Sequence, residues 1–196
     1  MNSWWTKEKI DKEALQARVV HLYKKGNTSD MANYRPISLL NTLYKIFASI
    51  IQNGLASGID KHMLNTQYGF RKARSTQHAI HIIRRILEAG ESTTNKLLLV
   101  LLDWEKAFDK LTREGLFTAL ENLPPKIIRI IQAIYANPEF QVEIEGEAST
   151  WKAQATGIRQ GCPLSPYLFI IYMTIMFADV KDKMRGCGHQ RKSPGS

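Results

Sequence analysis

Two aspartates follow a buried-looking apolar run in LLLVLLDWEKAFDKL, Asp103 directly after the run and Asp109 six residues later. An acidic side chain emerging from such a run is placed to reach a sheet edge. Carboxylates there could hold Mg²⁺, which prefers hard oxygen ligands, for nucleotidyl transfer to a 3′-hydroxyl. Taken alone, either aspartate is more readily read as the N-cap of the next helix. A second stretch, GIRQGCPLSPYLF, spans residues 157–169. Gln160 offers both a donor and an acceptor, and Gly161 lets backbone approach a ligand or another strand. Pro163 and Pro166 stiffen the entry to a helix that Ser165 would cap. The plainer alternative is a rigid loop with no ligand.

Two basic stretches complete the set. Lys24 and Lys25 precede Arg35 in NYRPISLLN, and point charges with one guanidinium suit a triphosphate. QYGFRKARST, residues 67–76, puts Arg71, Lys72 and Arg74 just before a helix start, where cations and backbone donors can hold phosphates. A solvated charged loop is the commoner reading of the lysine pair, and an exposed basic turn is an equal reading of 67–76.

The elements that must position these residues follow from periodicity. Residues 1–17 read as a loosely packed lead-in helix, 18–23 as a short strand, and 24–36 as a turn-rich loop or hairpin tip. Leu43, Ile46, Phe47, Ile50, Ile51 and Leu55 predict an amphipathic helix ending near Gly54 or Gly58. Ser75 would cap a second helix burying Ala79, Ile82, Ile83, Ile86 and Leu87. Lys96 to Leu102 is apolar without alternation, as in a strand covered on both faces. A helix from about Thr112 would bury Leu116, Phe117 and Leu120. Another from Pro125 would bury Ile127, Ile130, Ile131 and Ile134. Phe140, Val142 and Ile144 alternate with polar residues, predicting a half-exposed strand, a turn at Glu145-Gly146 and a partner strand over 150–155. Residues 167–184 read as a last apolar helix, and 185–196 as a disordered tail. The order predicts an α+β fold.

Composition narrows the classes. The chain has 196 residues, 44% of them apolar, enough for one cored domain or two small subdomains. Its net charge of +9, from 27 Lys+Arg against 18 Asp+Glu, favours an anionic partner such as nucleic acid. Neither a membrane span nor a signal peptide is read, and nothing points to a homo-oligomer. Two distant cysteines and five histidines lack metal-ligand spacing, so an intracellular protein with free thiols is expected.

In this order, KKG…NYRPISLLNTLYKIF, QYGFRKARST, LLDWEKAFDKL and GIRQGCPLSPYLF resemble the reverse transcriptases of non-LTR (LINE-type) retrotransposons over residues 18–176. The resemblance implies an RNA-directed DNA polymerase domain over 18–184, with right-hand fingers over about 18–95 and part of a palm over about 96–184. It implies RNA template, DNA primer and dNTP as partners, Mg²⁺ as cofactor and the nucleus as location. Asp103 would be the first catalytic, metal-binding carboxylate. Phe108 would lie beneath the incoming sugar and disfavour a 2′-hydroxyl, with Asp109 mainly structural. Lys24 or Lys25 and Arg35 would touch the triphosphate, Gln160 and Gly161 would shape the nucleotide pocket, and Arg71, Lys72 and Arg74 would lie along template or primer. Pro163 and Ser165 would be structural.

The family's second carboxylate motif, Tyr-Ala-Asp-Asp on a hairpin, is not found. The nearest string, Phe177-Ala178-Asp179-Val180, falls inside the last helix and lacks the second aspartate. The chain is therefore expected to end before the catalytic hairpin and to be inactive by itself. The alternatives are a non-catalytic basic remnant that still binds nucleic acid and a chain that does not fold stably.

Overall fold

The computed structural model describes residues 1–93, 96–144 and 146–188, with side chains through residue 185. It is α+β. The lead-in forms two short helices, α1 (Asn2–Lys7) and α2 (Lys12–Leu15), and is not loosely packed. Trp4, Ala14 and Leu15 are buried in the main core, and Trp4 meets Phe47 edge-on at 5.5 Å. The Trp4 indole N–H donates to Asp11 at 2.9 Å, so this large ring is buried without an orphaned donor. Lys12 and Gln16 both reach the Glu139 carboxylate, at 2.9 and 3.1 Å, and fasten the lead-in to the sheet.

Next come β1 (Ala17–Tyr23) and β2 (Tyr34–Leu40), paired antiparallel from Ala17↔Leu40 to Tyr23↔Tyr34. Residues 24–33 form the hairpin tip, as the turn residues predict. The second strand was not expected: YRPISLL shows no clean alternation, and Pro36 has no N–H to donate to a ladder. Pro36 is tolerated because β2 is the sheet's outer strand in the order β2-β1-β3-β4.

Asn41 caps α3 (Thr42–Ile59), its side chain accepting from the Leu43 N–H. The helix buries Tyr44, Phe47, Ala48, Ile51 and Leu55, whereas the expected core residues Leu43, Ile46 and Ile50 face outward. The amphipathic stripe exists but is rotated toward Tyr44. Helix α4 (Thr76–Ser92) begins at a capping box formed by Ser75 and His78. None of its residues is buried, and the expected core face of Ile82, Ile83, Ile86 and Leu87 is exposed.

The buried strand expected over Lys96 to Leu102 is not formed. These residues have no regular structure, and Leu98, Leu101 and Leu102 are 85%, 80% and 78% exposed. A continuous Leu/Val run becomes a doubly covered strand only when neighbours supply ladder bonds and cover, and among the described residues no strand pairs with it.

Beyond this run lie α5 (Ala107–Lys110), α6 (Arg113–Ala119), α7 (Pro125–Ala136) and β3 (Glu139–Ile144). Thr112 caps α6 through the Gly115 N–H, and Pro125 opens α7, as their sequence signals require. Leu116, Leu120, Ile130, Ile131 and Ile134 are buried, with Phe117 and Ile127 half-buried against them. β3 pairs parallel with β1, Ala17 opposite Phe140. The return from Gly146 is two short strands, β4 (Glu147–Ala148) and β5 (Lys152–Ala153), rather than one over 150–155. Glu145 and residues 189–196, with most of the expected tail, lie outside the described residues.

Helix α8 (Ser165–Gly188) starts before and ends after its expected limits. Its first turns are buried almost all round: Tyr167, Leu168, Ile170 and Ile171 join the core formed with α3, α6 and α7, and Met173 is buried as well. Asp179 is an exposed residue within this helix, as expected from its surroundings. Among the described residues, no helix is long and apolar enough to cross a membrane.

Candidate nucleotide-binding cleft

The loop over 157–164 is held from both sides by main-chain bonds. On one side the Gly157 and Ile158 N–H groups donate to Leu111 and Phe108 carbonyls at 2.9 and 2.8 Å. On the other, Ser38 in β2 donates its N–H to the Gln160 carbonyl at 2.8 Å. The two glycines are required for this fit. Gly157 has φ +78 and a Cβ there would lie 2.8 Å from the Phe108 carbonyl oxygen; Gly161 has φ +112 and its Cβ would lie 2.6 Å from the Ser38 carbonyl oxygen. The loop therefore bridges the β1–β2 hairpin to the segment carrying Phe108 and Asp109.

Between these elements opens a cleft of about 430 Å³, lined by His21, Lys24, Tyr34, Arg35, Lys106, Asp109 and Gln160 among others. Three residues singled out for nucleotide binding, Lys24, Arg35 and Gln160, thus meet in space although Gln160 is more than a hundred positions from the other two in sequence. Asp109 joins them, its Oδ1 accepting from the Gln160 side-chain amide at 3.5 Å. Lys106 was not anticipated. It adopts left-handed backbone, φ +51, at the N-cap of α5, a conformation rare for a side chain that is not Gly, Asn or Asp. The signal in the sequence was weak, because one lysine between Glu105 and Ala107 looks like any surface charge. Among the described residues, Lys24, Arg35 and Lys106 form no ion pair, so Asp109 is the single carboxylate facing three cations.

Other expected residues sit elsewhere. Phe108 is half-buried in a ring cluster, 5.2 Å from Phe169 and 6.4 Å from Phe70, and does not line the cleft. Gly161 shapes the loop and lines no cleft wall. Lys25 is exposed at the hairpin tip. Ser165 is the first helical residue rather than the cap; it is buried, with its hydroxyl 3.3 Å from that of Tyr135, while Pro163 is half-buried in the loop. Asp103 is exposed, follows the irregular 96–102 segment and is absent from the cleft lining.

Arg71 is not free for nucleic acid. It is only 8% exposed and bidentate to Asp60, Nε to Oδ1 at 2.8 Å and Nη2 to Oδ2 at 2.9 Å. Its remaining donors reach the Asp60, Leu64 and Gln67 carbonyls. The hydrogen bonds from Arg71 hold the Asp60 carboxyl below its usual range, and those to Asp60 raise the guanidinium. Arg71 thus closes the turn between α3 and α4. Lys72 stays exposed, and Arg74 lies 5.7 Å from the Tyr68 ring centre and donates to the Asn65 carbonyl.

Beneath the loop, Arg159 is only 2% exposed. Its Nε donates to Gln154, whereas Nη1 and Nη2 have no partner among the described residues. Burial lowers its pKa, and raises that of the nearby Tyr44 phenol well above the ordinary value. The Tyr44 hydroxyl lies 3.2 Å from the buried Cys162 thiol.

For a magnesium ion the donor set is insufficient. Among the described residues no three His, Cys, Asp or Glu side chains cluster, around Asp103 or elsewhere.

Comparison with known proteins places these features. The sequence matches the family described as "Reverse transcriptase (RNA-dependent DNA polymerase)" over residues 22–191. It is 32% identical over 167 residues to the RNA-directed DNA polymerase from mobile element jockey of Drosophila melanogaster, covering 82% of this chain and 18% of that protein. It is 30% identical over 159 residues to a Pol polyprotein from the retrotransposable element R2 of Nasonia vitripennis, covering 79% of this chain and 15% of that one. The match thus spans under a fifth of either relative's length. Among solved structures, an apo telomerase from Candida tropicalis truncated from its C-terminal domain aligns with TM-score 0.49 and 14% identity, over 91% of this chain and 43% of that one.

Proposed function

The chain belongs to the reverse transcriptase family, with relatives among non-LTR retrotransposons, and we propose that its cleft receives the triphosphate of an incoming dNTP. The observation that carries this reading is the convergence of Lys24, Arg35 and Lys106, with no ion pair among the described residues, around Gln160. An anion with several oxygens satisfies such a set: the arginine fork matches two phosphate oxygens and the lysines act as point charges. Gln160, anchored through its own carbonyl to Ser38, keeps its amide at the cleft wall, where it can contact the nucleotide.

In this reading residues 18–95 correspond to fingers and 96–184 to part of a palm. Phe108, braced by Phe169, supports the floor from beneath rather than touching the sugar across open space. Lys72 and Arg74 would face template or primer phosphates in place of Arg71. Reverse transcriptases generally use divalent metal, and Asp103 is the residue that would contribute to holding it. With no cluster of three such ligands among the described residues, a metal pair is not held in position, and we propose that this chain alone does not extend primers.

Titration with a fluorescent dNTP tests the cleft. Wild type should bind, and Arg35→Gln should weaken binding about tenfold or more, the value of one charge-assisted fork. Equal affinity in both would remove the cleft from consideration. A second reading, binding of nucleic acid without catalysis, is favoured by the lack of a three-ligand metal cluster among the described residues together with the net charge of +9. It predicts affinity for template-primer that falls steeply with salt. Primer extension separates the two: incorporation that disappears in Asp103→Ala would restore catalysis to this chain.

A further inference from the structure

One wall of the cleft carries an imidazole. His21 lines the space together with Lys24, Tyr34, Arg35, Lys106 and Asp109. It comes from β1, where alternate residues share a face. Ala17 and Val19 precede it on that face and are buried, whereas His21 is half-buried, so the face passes from interior to cleft at this residue. Its partner across the hairpin is Pro36, which also lines the cleft, and residues directly opposite in an antiparallel pair project to the same side. The hairpin is braced here. The Lys24 N–H donates to the Asn33 carbonyl at 2.9 Å, and the Tyr23 and Tyr34 rings pack 5.5 Å apart. The sheet therefore holds His21 against the open space.

The two ring nitrogens are not equivalent. Nδ1 is buried and has no hydrogen-bond partner among the described residues. Nε2 is not enclosed in this way and has no protein partner among the described residues either. A neutral imidazole carries one N–H and one lone pair. An N–H on the enclosed Nδ1 would be an orphaned buried donor, which folded proteins rarely keep, whereas an unused acceptor is tolerated more often. The proton of the neutral ring thus belongs on Nε2, the nitrogen with access to the cleft. Among the described residues His21 joins no ion pair, so Asp109, the carboxylate in the cleft, does not consume this donor.

We propose that His21 is a further phosphate contact of this cleft, donating its Nε2–H to an oxygen of the triphosphate beside Lys24. The inference rests on reading the cleft as the triphosphate site. Lys24 and Lys106 act as point charges and attract any anion. A ring fixed by the sheet donates in one direction only, so it selects where the phosphate oxygen lies. The charged or titratable side chains that share the space, Lys24, Tyr34, Arg35, Lys106 and Asp109, include no second imidazole. A side chain that only fills the margin of the core needs no donor at this position; a phosphate contact does.

Calorimetric titration of the full 196-residue chain with a dNTP and with inorganic tripolyphosphate tests this, with far-UV circular dichroism confirming that each variant is folded. His21→Leu fills similar space without a donor and should weaken both ligands about tenfold, the value of one hydrogen bond to a charged group. His21→Gln, whose amide nitrogen reaches the Nε2 position, should recover to within about threefold of wild type. His21→Asn, whose shorter amide stands nearer Nδ1, should bind no better than His21→Leu. Wild-type affinity in His21→Leu overturns the proposal, as does His21→Gln binding no better than His21→Asn. Arg35→Gln keeps this failure separate from that of the cleft. If it weakens binding while His21→Leu does not, the cleft stands and His21 only fills space. If neither changes affinity, the cleft reading falls and His21 with it. Should the His21 variants unfold, nitrogen NMR of the wild-type chain decides: the His21 Nε2 resonance should move when tripolyphosphate is added, and an unmoved one sinks the contact.

Discussion

Helices α3 and α4 are nearly the same length, 18 and 17 residues, and both are amphipathic by pattern. They meet opposite fates. α3 buries five side chains against the lead-in and α8, whereas α4, with the sharper apolar stripe and a capping box, buries none. A 3.6-residue period says that a helix has a face to hide; it does not say that the partner is within reach. The difference also separates two kinds of stability. α3 is held by tertiary packing, and α4 by its cap and internal hydrogen bonds.

The contrast is broken most directly by truncating apolar residues on both helices. Phe47→Ala in α3 should cost about 3–5 kcal/mol in urea unfolding, the value for an aromatic core residue. Ile83→Ala in α4 should change monomer stability by no more than about 0.5 kcal/mol, as for a surface substitution. Equal losses would mean that α4 is packed in solution and that its exposure here is not its working state.

Next in size is the loop that α3's half of the molecule supports. Gly161→Ala introduces a Cβ against the Ser38 carbonyl in left-handed backbone and should cost about 1–3 kcal/mol. It should also weaken dNTP binding, because Gln160 is carried on the same turn. Gly54→Ala, in α3 with open space around it, should instead stabilise by about 0.5–1 kcal/mol. If both substitutions had the same sign in thermal melts, the close approach between the loop and β2 would be in doubt.

A smaller effect tests the turn joining the two helices. The Arg71 guanidinium lowers the Asp60 pKa, so the folded state binds fewer protons than the unfolded state near that pKa. This contribution is fully present above the unfolded carboxylate pKa of about 4 and is lost as pH falls through the lower folded value. Asp60→Asn should therefore destabilise at neutral pH and cease to differ from wild type in strong acid. Denaturant midpoints across that range would read it, and a constant offset would show that Asp60 acts by packing alone.

The smallest predicted change concerns the start of α4. Ser75→Ala should cost about 1 kcal/mol, since the side chain accepts from the third helical N–H. With no tertiary packing to compensate, the loss should appear as fraying of α4 in hydrogen exchange, while α3 is unaffected.

Much was legible in the residues. The caps at Asn41, Ser75 and Thr112, Pro125 at a helix start, and the glycines of the 157–161 loop are local signals, set by which atoms can bond within a few residues. The four motifs and their order likewise sufficed to indicate the family, because spacing along the chain is itself a linear property. Tertiary structure decided which faces were buried and which motif residues met. Trp4 was drawn into the core, Arg71 was consumed by Asp60, and Lys106 was turned into a cleft with Lys24 and Arg35, while Asp103 was left outside it. Those outcomes depend on partners more than ten positions away, and for Leu97 to Leu102 on a partner absent from the five-stranded sheet. Burial and ion pairing are properties of two surfaces, and a sequence pattern specifies only one of them.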